Sequence, residues 1–199
     1  MNYTIKYTDK KNITLKDSEW EKANVALVDK INWEAFPVKP HVEARLIYNE
    51  DGIYVKFVCN EIPEVYCHET NGRVCDDSCA EFFIQPIKED GRYLNFEMNA
   101  DKIIHLGLGT DRYDRINPEF SYDEFLIENE KNADSWQIKY FIPFAYIEKH
   151  VGKCSKNFRG NLYKCAEITK TPHFLTYSPI VTPEPDFHQS EFFCDFTLE

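Results

Sequence analysis

The sequence predicts an all-β domain: a two-sheet antiparallel β-sandwich, immunoglobulin-like or jelly-roll-like, with one or two short helices. Three observations predict it. Apolar and polar residues alternate with a period of two over many short segments. Turn residues, not long helical stretches, separate those segments. Aromatic residues make up 15% of the chain, with 15 Phe and 12 Tyr, and flat side chains sit well on pleated strands. With 199 residues and 43% hydrophobic content, one core is expected, in a single domain over residues 1–199.

The elements follow in order. Asn2–Thr8 reads as a first strand. Asp17 is placed to cap a short helix at Ser18-Glu19-Trp20. Val42, Ala44, Leu46 and Tyr48 alternate with Glu43, Arg45 and Ile47. Asn49-Glu50-Asp51-Gly52 then turns the chain, and Ile53, Val55, Phe57 and Cys59 resume the alternation, which is a hairpin. A second hairpin pairs Cys79–Gln85 with Tyr93–Ala100 across Pro86 and Asp90-Gly91. It turns Ala80, Phe82, Ile84, Leu94, Phe96 and Met98 inward, and Glu81, Gln85, Asn95, Glu97 and Asn99 to the other face. Further strands are expected at Ile103–Leu108, Glu124–Asn129, Trp136–Ile142, Leu162–Thr169 and Phe192–Leu198. A short helix is expected from Pro143 to His150, with the proline in its first turn. The long polar connections Glu61–Ser78, Thr110–Asp123 and the proline-rich Thr171–His188 are where a binding site would be edged.

Composition excludes several classes. A net charge of −11 disfavours nucleic acid and anionic membrane surfaces as partners, since both require basic patches. No apolar run is long enough to span a bilayer. The start, Met1-Asn2-Tyr3-Thr4-Ile5-Lys6, lacks a basic region followed by an apolar core. Reduced, mostly buried thiols are therefore expected of the seven cysteines, and a cytoplasmic location with them. No pattern specifies an oligomeric state.

The carboxylates Glu81 and Glu97 are the first candidates for chemistry. With Asn95, Asn99 and Gln85 on one sheet face they can exchange bidentate hydrogen bonds with sugar hydroxyls. A close pair also suits glycoside hydrolysis, and a plainly solvated polar face fits the same pattern. Cys67, Cys75 and Cys79 with His68 have irregular gaps for zinc, so buried thiols are expected. Asp76-Asp77-Ser78 lacks the oxygen spacing of a calcium loop and reads as solvated acids. There is no Gly-x-Ser-x-Gly, and Gly107-Leu108-Gly109 lacks the rest of a phosphate loop. Met98 and His105 could in principle ligate haem, but Met98 shares the period of Leu94 and Phe96 and reads as core. His188 reads as a loop histidine bonded to backbone. No cofactor or metal is expected from these residues.

Five stretches occur in one order: Asp77-Ser78-Cys79-Ala80-Glu81-Phe82-Phe83, Tyr93-Leu94-Asn95-Phe96-Glu97-Met98-Asn99-Ala100, Ile142-Pro143-Phe144, Asn161-Leu162-Tyr163-Lys164-Cys165 and Pro185-Asp186-Phe187-His188. From about Trp20 onward the chain thereby resembles the family-9 carbohydrate-binding modules, specifically their stand-alone branch. The resemblance implies a β-sandwich that does no chemistry and binds a mono- or oligosaccharide, at the reducing end of a glycan in characterised modules. It implies association with glycosidases and carbohydrate catabolism, and it admits a structural calcium ion. In the family the sugar ring lies between two tryptophans. Glu81 matches a family carboxylate that bonds hydroxyls, and Glu97 falls where those modules can carry an arginine. Phe187 falls at the second stacking tryptophan. The first falls at Val74 or Cys75, neither aromatic, with Tyr66 of the same loop as its substitute. His188, Asn95 and Asn99 complete the expected site. The alternatives are an interaction or scaffold domain that kept the fold and lost sugar binding, and a glycoside hydrolase using Glu81 and Glu97.

Overall fold

Two sheets share their first strand. In the computed structural model, which describes Met1–Glu199, the strands are β1 (Asn2–Tyr7), β2 (Val25–Leu27), β3 (Lys30–Ile31), β4 (His41–Tyr48), β5 (Gly52–Asn60), β6 (Cys79–Gln85), β7 (Tyr93–Asn99), β8 (Ile104–Gly109), β9 (Arg115–Ile116), β10 (Glu128–Lys131), β11 (Trp136–Pro143), β12 (Asn157–Ala166), β13 (His173–Thr176) and β14 (Cys194–Leu198). Two short α-helices, α1 (Tyr122–Phe125) and α2 (Phe144–His150), complete the set with three 3-10 turns. One sheet runs β1-β14-β12-β6-β7-β8-β9, with β13 on the far half of β12 and β3 beyond it. The other runs β10-β11-β5-β4-β1, with β2 on β4.

Every pairing is antiparallel except at β1. Its first four residues run parallel to β14 and its last two run parallel to β4, so β1 sews the two sheets together. Between the sheets lies a core that includes Val55, Phe57, Phe82, Phe96, Ile138 and Leu162. The period-two positions predicted to point inward do so, Met98 among them. His105 is on the opposite face, bonded to the carbonyls of Asn71 and Gly72, so the haem geometry is absent.

Several boundaries move for local reasons. The expected strand Glu124–Asn129 divides into α1 and β10. Ser121 and Glu124 form a reciprocal capping box, which starts a helical turn, and Leu126 ends it in the left-handed region at φ 45°. β12 begins at Asn157 and stops at Ala166, earlier at both ends than Leu162–Thr169. The connection expected at Thr171–His188 contains β13. Asp17 caps the 3-10 turn at Ser18–Lys22, and Pro143 sits at the N-cap of α2.

The polar face of β6 and β7 is not solvated. Glu81 is 2% and Glu97 7% exposed, and Asn95 and Asn99 are fully buried. The reason is that Phe83, Tyr93 and Tyr163 share that face. A second apolar cluster forms over them with Trp33, Val74, Phe174, Ile180, Phe187 and Phe193. The first sheet thus carries a third layer, built from the long connections.

One side chain fastens that layer. Asp77, expected as a solvated acid, is fully buried. It accepts from the backbone N–H of Tyr66 at 2.9 Å and of Cys67 at 3.2 Å, and from Asn99 Nδ2 at 2.8 Å. Asp77→Ala strands those donors, which costs about 1–3 kcal/mol per buried group left unpaired. Urea unfolding should show a loss of about 2–3 kcal/mol, with faster amide exchange at Tyr66 and Cys67.

At the end of the main core sits a charged group. Lys164 is fully buried on β12, opposite Ala80 and in phase with Leu162. Its ammonium lies 2.8 Å from Glu61 Oε1 and 2.9 Å from His173 Nε2, and donates to the Cys165 carbonyl at 2.7 Å. Trp136 Nε1 donates to the same Glu61 oxygen at 2.9 Å. Three strands and the start of the Glu61–Ser78 connection meet there.

Candidate functional site

The floor of the site is the outer face of β12, β6, β7 and β8. Antiparallel register sets Glu81 directly opposite Glu97, Tyr163 on the far side of Glu81, and His105 on the far side of Glu97. One step along, Asn95 faces Gly107. That glycine is a requirement of the site. A Cβ there would fall 2.0 Å from Arg115 Nη2 and 2.5 Å from Asn95 Oδ1. The bare backbone lets the Arg115 guanidinium fold back over β8, where it donates to Asn95 Oδ1 and lies 2.8 Å from His188 Nδ1. Asn95 Nδ2 in turn donates to Glu97 at 2.6 Å.

Three segments form the walls. The Asn71–Cys75 stretch stands on one side. The tip of the β8–β9 hairpin supplies Arg112, Tyr113 and Arg115. The Pro183–His188 segment closes over the top, held by Arg112 donating to Asp186 at 2.7 Å. Between them the cleft narrows in steps. A broad outer part of about 770 Å³ is lined by Phe36, Arg73, Arg112, Tyr113, Phe174 and the Thr182–Asp186 stretch. A middle part of about 280 Å³ reaches Glu97, His105, Arg115 and His188. A blind inner part of about 50 Å³ ends against Glu81, Glu97, Cys75, Cys165 and Glu167. Shared lining residues, Arg112 in all three, make them one cleft.

Electrostatics follow from burial. Loss of solvent, and then the facing Glu97 carboxylate, push Glu81 well above the ordinary carboxylate range. Burial also pushes Glu97 up, against the pull of His105 and Arg115. Burial, then Arg115 and Arg112, bring His188 down to about 3, so its ring is neutral at physiological pH. His188 bonds to side chains, Tyr93 Oη and Arg115, and not to backbone as expected.

Residues 12–198 match the profile of carbohydrate-binding family 9. The chain belongs to that family. Solved structures with the same fold include a Bacteroides uniformis protein assigned as carbohydrate-binding, 25% identical, with a TM-score of 0.84 over 100% of this chain and 99% of that one. Family-9 modules of Caldicellulosiruptor kristjanssonii are 9% identical. One, in complex with glucose, has a TM-score of 0.69 over 100% of this chain and 96% of that one. Another, in complex with cellotriose, has a TM-score of 0.67 over 100% and 94%. No curated protein matches the chain in sequence.

Of the residues the sequence singled out in this family-9 chain, Glu81, Glu97, Asn95, Phe187 and His188 converge on the cleft. Asn99 does not reach it. Its amide is spent on the Cys67 carbonyl and Asp77, and its carbonyl accepts from Asp101 and Ile103. Tyr66 lies apart from the cleft lining, exposed and bonded to Glu64. Phe187 is buried, with one face covered by Tyr163 at 4.2 Å and 5° between planes, so only part of the ring meets the cavity. Val74 is fully buried in the outer cluster, and Cys75 lines the cleft.

Other contributors carried no readable pattern: Arg73, Arg112, Arg115 and Glu167 among the charged groups, Phe36, Phe174 and Tyr113 among the aromatics. Tyr113 is 91% exposed at the hairpin tip, and its loop is pinned by Asp111 accepting from the Tyr113 and Asp114 amides. The one available signal was Gly107, a glycine inside a strand, which marks close approach by another group.

Proposed function

We infer that this chain is a non-catalytic module that holds a mono- or oligosaccharide in the stepped cleft, with the sugar's end directed at Glu97. The observation that carries the reading is the convergence of two guanidinium groups, Arg112 and Arg115, with the Glu97 carboxylate and the His188 ring in the 280 Å³ part of a cleft whose mouth bears exposed aromatic surface. Fixed donors and acceptors of that kind match the hydroxyls of a neutral sugar, and Tyr113 and Phe36 offer ring faces at the mouth. Arg112 and Arg115 bring guanidinium groups to the site although position 97 is a carboxylate. The closed inner wall favours a chain end over the middle of a glycan, and the family resemblance makes the reducing end the expected one. Family membership and the sugar complexes of the Caldicellulosiruptor modules support the reading from outside this chain.

Hydrolysis is the weaker use of the carboxylates. A glycosidase places the scissile bond between its acid and its nucleophile or base. Here Glu81 meets only the inner space of about 50 Å³, room for a water or two and not for a sugar ring, so a ring held in the 280 Å³ part reaches Glu97 alone.

Calorimetric titration of the full chain with glucose and cellotriose tests the reading. Saturable heat with a Kd between about 1 µM and 1 mM, about −8 to −4 kcal/mol, is expected. Cellotriose reduced at its end to the alditol should bind at least tenfold more weakly. Absence of heat with every sugar, in a chain that unfolds cooperatively, would favour the scaffold reading instead.

A further inference from the structure

Directly beneath the inner end of the cleft, three soft or anionic side chains meet. Cys79 and Cys165 are cross-strand partners on β6 and β12, and Glu81 follows Cys79 on the same face. The two sulfurs and a Glu81 oxygen all lie within 4.8 Å of one another, and all three residues are buried. The Cys165 thiol donates to Glu81 Oε1 at 2.8 Å. Cys165 and Glu81 also line the 50 Å³ inner cavity, and Cys75 stands on its wall. No local spacing pattern marks this cluster. Cys67, Cys75 and Cys79 beside His68 read as buried thiols, whereas the fold brings Cys165 to Cys79 from a strand distant in sequence and leaves Cys67 outside.

We propose that Cys79, Cys165 and Glu81 form a binding site for a soft divalent cation of the zinc class, with a fourth position open to the inner cavity. Two thiolates and a carboxylate are a recognised type of donor set for such an ion, and three protein ligands with one open position is the geometry of an accessible zinc site. Tetrahedral coordination at about 2.0–2.3 Å brings ligand atoms closer than 4.8 Å, and rotation about the cysteine χ1 bonds can close that gap. Binding releases the two thiol protons, and that of Glu81 where it is held, to solvent. The donors then carry three negative charges against two on the ion. Burial favours the protonated forms of Glu81 and Cys165 more than the Lys164 ammonium favours the ionised ones, and that ammonium lies on the core face of β12, paired with Glu61, so the ion itself must displace the protons. The fourth position is filled by water or by the Cys75 thiol. The proposal shares Glu81 and the inner cavity with the saccharide reading, but its test needs no sugar and stands or falls without one.

Cobalt(II) titration of the full chain under a non-thiol reductant tests it. One equivalent should produce a thiolate-to-cobalt charge-transfer band and the visible bands of a tetrahedral ion, displaced by one equivalent of zinc. Cys79→Ser and Cys165→Ser should each weaken cobalt binding at least a hundredfold, and Cys67→Ser and Cys154→Ser should leave it unchanged. X-ray absorption of the zinc-loaded wild-type chain needs no variant. It should show two sulfurs (three if Cys75 closes the site) at about 2.3 Å and at least one oxygen at about 2.0–2.2 Å. No charge-transfer band, a band that survives Cys165→Ser, or a zinc shell with oxygen and nitrogen alone would overturn the site.

Discussion

Glu61→Gln should destabilise the chain by about 3–5 kcal/mol at pH 7, measured by urea unfolding. The substitution keeps the size of the side chain and an oxygen for Trp136 and Lys164 to donate to. What it removes is the charge that faces a fully buried ammonium. Attraction to Lys164 and His173 outweighs burial and brings Glu61 down to about 2. Burial pulls Lys164 down, but Glu61 overcomes it and the net movement is up. The signs fix the pH window. Glu61 contributes stability above its ordinary value of 4.5 and loses that contribution as pH falls through about 2. Lys164 contributes below its ordinary value of 10.5 and loses that contribution only as pH rises past its higher folded value. Wild type should therefore weaken between about pH 4.5 and 2, and Glu61→Gln should weaken much less over the same range. The double change Glu61→Leu with Lys164→Met should recover most of the loss, because it removes both charges and not one.

This network also shows where sequence reading stops. Lys164 sits in the alternation of Leu162 and reads as a strand residue, but nothing local names Glu61 as its partner. The β6–β7 hairpin and the shared face of Glu81 and Glu97 were legible, because alternation and a turn are short-range signals, while the register that sets the two opposite each other came from the structure. Whether that face met water was not legible. It depends on two connections, far apart in sequence, folding over Phe83, Tyr93 and Tyr163. The same holds for Asp77, whose partners are the Tyr66 and Cys67 amides and Asn99. It holds for Cys79 with Cys165, which only the pairing of β6 with β12 brings together. Strands of two or three residues such as β3 and β9 are too short to show a period, and so Arg115, at the start of β9, was passed over. Family resemblance pointed to Glu81, Glu97, Asn95, Phe187 and His188, which reach the cleft or bond to its lining, and also to Asn99 and Tyr66, which do not. It could not supply the arginines, because they come from a hairpin tip that the shared stretches do not include.

Arg115 is where the saccharide reading is most exposed. Arg115→Met should weaken binding of glucose and cellotriose by about 10–100-fold, since a hydrogen bond from a charged donor in a sheltered site is worth about 1.5–3 kcal/mol. Gly107→Ala should produce nearly the same loss without replacing any hydrogen-bonding side chain. The new methyl group would occupy the place of the Arg115 guanidinium and crowd Asn95 Oδ1. The guanidinium is the far end of a flexible side chain and can swing out toward solvent, but fully buried Asn95 then loses the donor to its Oδ1, so urea unfolding should show a loss of about 1–3 kcal/mol with cooperativity kept. The two changes act through one group. Combined, they should cost no more than either alone, and a double-mutant cycle should return an interaction energy about equal to the single effect. If Gly107→Ala lost affinity and the double variant lost the sum of both, the alanine would be acting on the β8 backbone and not through Arg115. If neither change altered sugar affinity, saccharide would have to be bound elsewhere, and the guanidinium over Gly107 would serve to hold Asn95 and His188 beneath the outer layer.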